Sequence, residues 1–170
     1  MRGIPLVILG YVLMGSLGSL SQHIGATHFV PDVIIPLIVY IALNLRFLPG
    51  AVTVFVIGLL ADAFMGGGII GLRTEVLLIV FLAIGVLVKR YRVNSMLGLV
   101  LLSLAGIFAQ DLLFLLLSVI FDARFQGAHL VVAALFPRLL ISLPFIPLVL
   151  GLSRRIDRRF SRTDSRIFFG

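Results

Sequence analysis

Asp111 lies in the middle of the apolar stretch Met96–Phe121, directly after Gln110, and Arg138 lies inside the stretch Leu130–Leu152. Ionisable side chains are costly in such surroundings, so each marks a position that folding or function has to justify. The segment between the two stretches is short, which makes them antiparallel neighbours. Asp111 precedes Phe121 by ten residues and Arg138 follows His129 by nine. At about 1.5 Å per residue their depths then agree within roughly 2 Å. Two chemistries suit such a pair: a neutralised ion pair that serves packing, or one station of a proton or ion relay. A relay needs a chain of similar groups, and Asp62 and Glu75 are the candidates to extend one. The packing pair asks less of the sequence and is the preferred reading.

Asp62 closes an apolar run just before Gly66-Gly67-Gly68 and is placed to cap the turn that follows. A triple glycine is weak evidence for phosphate binding, because the Gly-Lys-Ser/Thr ending of a P-loop is missing. His23, His28 and His129 have no cysteine and no clear acidic ligand beside them, so no metal site is expected. No His-Glu-x-x-His, Gly-x-Ser-x-Gly or paired-carboxylate arrangement occurs, and the serines have no base next to them. Neither catalysis nor a bound cofactor is expected. With no cysteine in the chain, disulfides and thiol chemistry are excluded.

The elements that must position these residues are hydrophobic throughout. The chain has 170 residues, 61% of them hydrophobic, more apolar surface than one soluble core of this size can hide. Apolar runs fill Ile4–Leu20, Pro31–Leu45, Gly50–Phe64, Glu75–Val88, Met96–Phe121 and Leu130–Leu152. A membrane-crossing helix needs about 20 apolar residues. The expected fold is therefore all-α: a polytopic integral membrane bundle of about six transmembrane helices. Residues 1–152 form its single domain and residues 153–170 a basic tail. The first run, broken by Gly10, Gly15 and Gly18 and followed by no cleavage-like site, is expected to be a retained span. Residues 31–64 suit two spans joined at Arg46–Gly50, with a re-entrant hairpin as the alternative. Pro137, Pro144 and Pro147 should kink the sixth helix.

Six spans place both termini on one side. Arg2, Arg46, Lys89, Arg90, Arg92 and six tail arginines fall there, eleven in all, against Arg73 and Arg124 on the other side. The excess of Lys and Arg over Asp and Glu, +7, thus reads as an orientation signal with both termini cytoplasmic, and not as a nucleic-acid surface. Arg154, Arg155, Arg158 and Arg159 open the tail as lipid-facing basic residues, suited to anionic lipid, to an acidic partner or simply to fixing topology. Gly10, Gly15, Gly18 and Ser19 give the first helix small residues that permit close helix approach, inside the chain, in a homo-oligomer or against another membrane protein.

Pro31-Asp32-Val33-Ile34-Ile35-Pro36-Leu37-Ile38-Val39-Tyr40, Gly58-Leu59-Leu60-Ala61-Asp62 and Gly71-Leu72-Arg73 resemble the bacterial rod-shape-determining protein MreD family. The basic loop Lys89–Arg92 and the mid-span Asp111 fit the same pattern, whereas Ala61, the Gly66–Gly68 run and Arg138 depart from it. The resemblance implies a non-enzymatic component of the cell-elongation machinery in the bacterial inner membrane. It would act with an MreC-like membrane protein, with MreB filaments and with the peptidoglycan synthases, directly or indirectly. It also implies a fold similar to the substrate-binding subunits of energy-coupling transporters. A vitamin-like binding subunit is the runner-up function, and a small proton-coupled transporter a third. The absence of Trp and the presence of only three Tyr make a poor ligand-stacking set. On this reading Gly10, Gly15, Gly18, Gly66, Gly71 and Arg73 are expected to meet partners, while Asp62, Gln110, Asp111 and Arg138 serve the interior.

Overall fold

A computed structural model describes residues 3–24, 31–64, 71–91, 95–121 and 128–167. All regular structure among them is helical: α1 (Gly3–Ile24), α2 (Ile34–Asn44), α3 (Phe47–Phe64), α4 (Leu72–Tyr91), α5 (Met96–Phe121), α6 (Ala128–Ser142) and α7 (Phe145–Ile167). Four helices carry proline as their third residue: Pro5, Pro36, Pro49 and Pro147. A first-turn amide has no intrahelical acceptor, so proline is tolerated there and its fixed φ suits the helix. Pro147 therefore opens a helix instead of kinking one. The kinked sixth helix expected from the sequence is two helices, α6 and α7, separated at Leu143-Pro144 and bent by 48°. Pro137 alone lies inside a helix.

α2 is the centre of the bundle. It packs against α1, α3, α4, α5 and α7, and Ile34 through Ile41 are buried without interruption. A helix apolar on all sides has no face to give to water and is stable only when surrounded. The others close a ring around it, α1 on α3, α3 on α4, α4 on α5, α5 on α6 and α7, and α7 back on α1. The core comprises Leu37, Ile38, Ile41, Ile57, Leu77, Ile107, Ile146 and Leu150, all under 2% exposed. The seam between α3 and α4 brings backbone close to backbone: a Cβ on Gly58 would lie 2.8 Å from the Thr74 Cα, so only glycine permits this approach.

The outside of the ring is apolar as well. Ile8, Val12, Phe55, Leu82, Val86, Leu101, Leu112, Leu116, Phe136 and Leu148 are exposed, while Asp32, Gln110, Asp111, Ser103 and Ser142 are buried. Two buried hydroxyls are satisfied along their own helices, Ser103 Oγ donating to the Leu99 carbonyl and Ser153 Oγ to that of Val149. Among the described residues, Met96–Leu117 is by itself long and apolar enough to cross a membrane. Leu135–Ser142 with Phe145–Ile156 forms a second such stretch if its two halves count as one. The basic tail expected from Ser153 begins inside α7, which continues to Ile167.

Candidate functional site

Asp32, Gln110, Asp111 and Ser142, all buried, converge with Arg138 where α2 begins, α5 passes and α6 ends. Asp32 precedes α2 by two residues. Its Oδ1 accepts the amides of Ile34 at 3.0 Å and Ile35 at 3.1 Å, capping the helix. Its Oδ2 accepts Arg138 Nη2 at 2.7 Å and Gln110 Nε2 at 2.8 Å. Its own amide donates to Ser142 Oγ at 2.8 Å. Asp32 thus ties α2, α5 and α6 together through a side chain that is 1% exposed.

Arg138 completes the network by bridging two carboxylates: Nη1 donates to Asp111 Oδ1 at 2.9 Å while Nη2 holds Asp32. Two acids on one guanidinium leave a negative charge to be offset, and the forked geometry of arginine is what lets one cation serve both. Gln110 Oε1 and Arg138 Nε are buried with no hydrogen-bond partner among the described residues, so the network is not saturated. Such unsatisfied atoms lower its net contribution to stability.

A second cluster joins α3 to α4. Asp62 Oδ1 accepts the Arg73 amide at 3.3 Å, and Oδ2 accepts the Thr74 amide at 3.2 Å and the Thr74 hydroxyl at 2.6 Å. A carboxylate on the first amides of α4 satisfies orphan donors and meets the positive end of the helix dipole. Asp62 therefore caps the next helix, across the intervening segment. Gly71, at φ 95°, turns the chain into that helix in a conformation which suits glycine. The Arg73 guanidinium lies 5.8 Å from the Phe114 ring centroid on α5. The backbone amide of Arg73 is held by Asp62 while its guanidinium lies against α5, so Arg73 links the second cluster to the helix that carries Gln110 and Asp111.

Asp111, Gln110 and Arg138, singled out from the sequence, are together, and Asp62 stands apart from them, bonded to the first turn of α4. Glu75, expected as a candidate to extend a relay, is exposed, and Asp32 takes that place instead. Sequence reasoning missed Asp32 because it begins an apolar run. The signal was an aspartate followed by the uninterrupted run from Val33, the pattern of a helix start. Gly10 is corrected from a partner-facing position to an internal one. A Cβ there would meet Leu37 at 3.2 Å and Ile57 at 3.6 Å, so α2 and α3 already occupy its space. Arg73 is likewise engaged inside the chain. Among the described residues nothing lies within 4 Å of where a methyl on Gly15 would sit, so no described neighbour closes that side of α1, and the same holds at Gly71. Gly66 lies outside the described residues, as do the side-chain surroundings of Gly18. No cluster of three His, Cys, Asp or Glu suited to a metal occurs among the described residues.

Comparison with known proteins adds to this geometry. The family model described as rod shape-determining protein MreD matches residues 3–156. No curated protein and no solved structure matches the chain.

Proposed function

We propose, from the premise that this chain belongs to the MreD family of rod shape-determining proteins, that it works as a non-catalytic membrane scaffold of the cell-elongation machinery. In this reading α1 to α5 and the bent pair α6–α7 make six crossings of the bacterial inner membrane with both termini cytoplasmic. Residues 1–152 are the membrane domain and the remainder the basic extension. The single observation that carries it is the family match over nearly the whole chain, joined to a bundle that is apolar on its outside and buries a charge network in its interior. Such a surface is at home against acyl chains and would associate in water. α2, with 11 residues, is about 17 Å long, short for a bilayer core of about 30 Å. Ringed by protein, it has no need to match lipid.

The charge network supports a structural role over a relay. Arg138 stands between Asp32 and Asp111, and an arginine, which does not give up its proton in proteins, is a poor carrier between two acids. The network's bonds instead fix α6 to α2 and α5. The protein then acts by holding partners: an MreC-like membrane protein, and through it or directly MreB filaments and the peptidoglycan synthases.

Partner contact is assigned to the open side of α1 around Gly15 and to the segment that includes Gly66 and ends at Gly71. Gly15→Leu should leave folding and insertion intact yet lower co-purification with an MreC-like partner, and cells carrying it should lose rod shape at normal protein level. Normal co-purification would remove Gly15 from the interface. Micromolar binding of a vitamin-like ligand, with unchanged cell shape on deletion of the gene, would overturn the scaffold reading itself.

A further inference from the structure

α7 runs from Phe145 to Ile167 without a break, so one helical register covers both its packed half and its basic half. In the packed half Ile146, Val149, Leu150 and Ser153 are buried, which fixes the inward side. Pro147, Leu148, Gly151, Arg154 and Arg155 lie on the opposite side, where Leu148, Gly151, Arg154 and Arg155 are exposed. At 3.6 residues per turn, positions Arg154, Arg155, Arg158, Arg159, Arg162 and Arg166 all fall within an arc of about 140°. That arc is centred on the exposed side, directly in line with Leu148 and Gly151. Positions Asp157 and Asp164 fall on the side of Val149 and Ser153 instead. The six basic positions and the two acidic ones of the segment are therefore sorted to opposite sides of one helix.

We infer that this arginine arc is a binding surface for the headgroups of anionic phospholipid in the cytoplasmic leaflet. The inference rests on the membrane placement proposed above. Three features favour lipid over an acidic protein. The arc continues the same helix face that meets acyl chains higher up. Its first member, Arg154, follows the exposed Gly151 by three residues, about 4.5 Å of rise, so the charges begin where the apolar surface ends. Arginine stems can lie along apolar surface while the guanidiniums reach phosphate. The family match ends at Ile156, so Arg158, Arg159, Arg162 and Arg166 are a property of this chain beyond the matched region. Anionic lipid attracts such juxtamembrane cations strongly, and each adds to the preference. The surface would seat the helix against its lipid neighbours and hold α7 at a fixed depth.

The test uses the full chain reconstituted in nanodiscs of phosphatidylcholine containing phosphatidylglycerol, with retained lipids identified by native mass spectrometry. Wild type is compared with R158Q/R159Q/R162Q/R166Q and with the same four positions changed to lysine. Arg154 and Arg155 stay in place to preserve orientation, and circular dichroism confirms that α7 remains helical. Wild type should retain phosphatidylglycerol over phosphatidylcholine. The glutamine variant should lose at least roughly tenfold of that preference, and the lysine variant should keep most of it. Equal retention of both lipids by wild type, or an unchanged preference in the glutamine variant, overturns the inference. An unchanged lipid preference with loss of a co-purifying acidic protein would assign the arc to that protein instead. Extraction of the wild type from cell membranes by alkaline carbonate would remove the membrane placement, and the inference with it. Retention in the membrane without lipid preference would remove the inference alone.

Discussion

Asp32 joins three helices through one side chain and one amide, and its removal should be correspondingly severe. Asp32→Ala deprives Arg138 of one of its two carboxylates, Gln110 of its acceptor and α2 of its cap. Asp111 still pairs with Arg138, so the loss falls on the several hydrogen bonds that Asp32 accepts, and each buried donor left unmet costs about 1–3 kcal/mol. Asp62→Ala removes a cap from α4, a change worth about 0.5–2 kcal/mol. Unfolding of the purified variants in detergent should therefore rank Asp32→Ala well below Asp62→Ala, and the reverse order would disprove the assignment of Asp32 as the keystone. A double-mutant cycle between Asp111 and Arg138 gives the complementary check. Each single alanine should lower the folded fraction, and the double variant should recover part of the loss, since their side chains are 2.9 Å apart. Simple additivity would mean that the two residues do not interact energetically.

Among the elements, the α3–α4 seam and the open side of α1 give opposite expectations for the same substitution. Gly58→Ala would place a methyl 2.8 Å from the Thr74 backbone and push the helices apart, at a cost of about 1–3 kcal/mol. Gly15→Ala meets nothing within 4 Å among the described residues and gains helix propensity of up to about 1 kcal/mol. Thermal unfolding should move down for the first and remain level or rise for the second. α6 illustrates a different dependence. Among the described residues it packs on α5 and α7, and it reaches the start of α2 through polar bonds, Arg138 to Asp32 and Ser142 to the Asp32 amide. The bend of 48° after it separates the orientation of α6 from that of α7, so the position of α6 depends on those bonds more than the position of any ring helix does.

The whole molecule is organised around a charge asymmetry and a burial asymmetry. In the six-crossing topology proposed above, eleven Lys and Arg would fall on the side of the termini, against two on the other, and the positive-inside rule would then send both termini to the cytoplasm. A reporter fused after Gly170 that is active only in the periplasm would contradict this orientation. A reporter after Arg46 that reads as external would instead show that α2 and α3 enter and leave on one face. Large apolar side chains lie on the outside as well as in the core, while Asp32 and Asp111 are buried. The polar unit therefore specifies how helices meet, while the apolar exterior specifies the medium.

Much of this was legible from the chain alone because it is local. Runs of apolar residues located α1 to α5 to within a few residues, and α5 in full, since helix formation answers to nearby residues. The common depth of Asp111 and Arg138 followed from the fixed rise of a helix and a short connection. Their partner Asp32 did not, because it lies 78 residues from Gln110 and 106 from Arg138, and no period or spacing relates positions so far apart. Whether Gly10 or Gly15 is used inside the chain was equally illegible: both are glycines on one helix, and only the arrival of Leu37 and Ile57 at the first distinguishes them. The prolines after Ser142 announced an interruption, but its form as two helices with Pro147 opening the second was settled in three dimensions. Sequence determines what each segment can become through rise, period and hydropathy. The tertiary structure decides which faces meet, because that depends on the shapes of distant segments packed around a common centre, here α2.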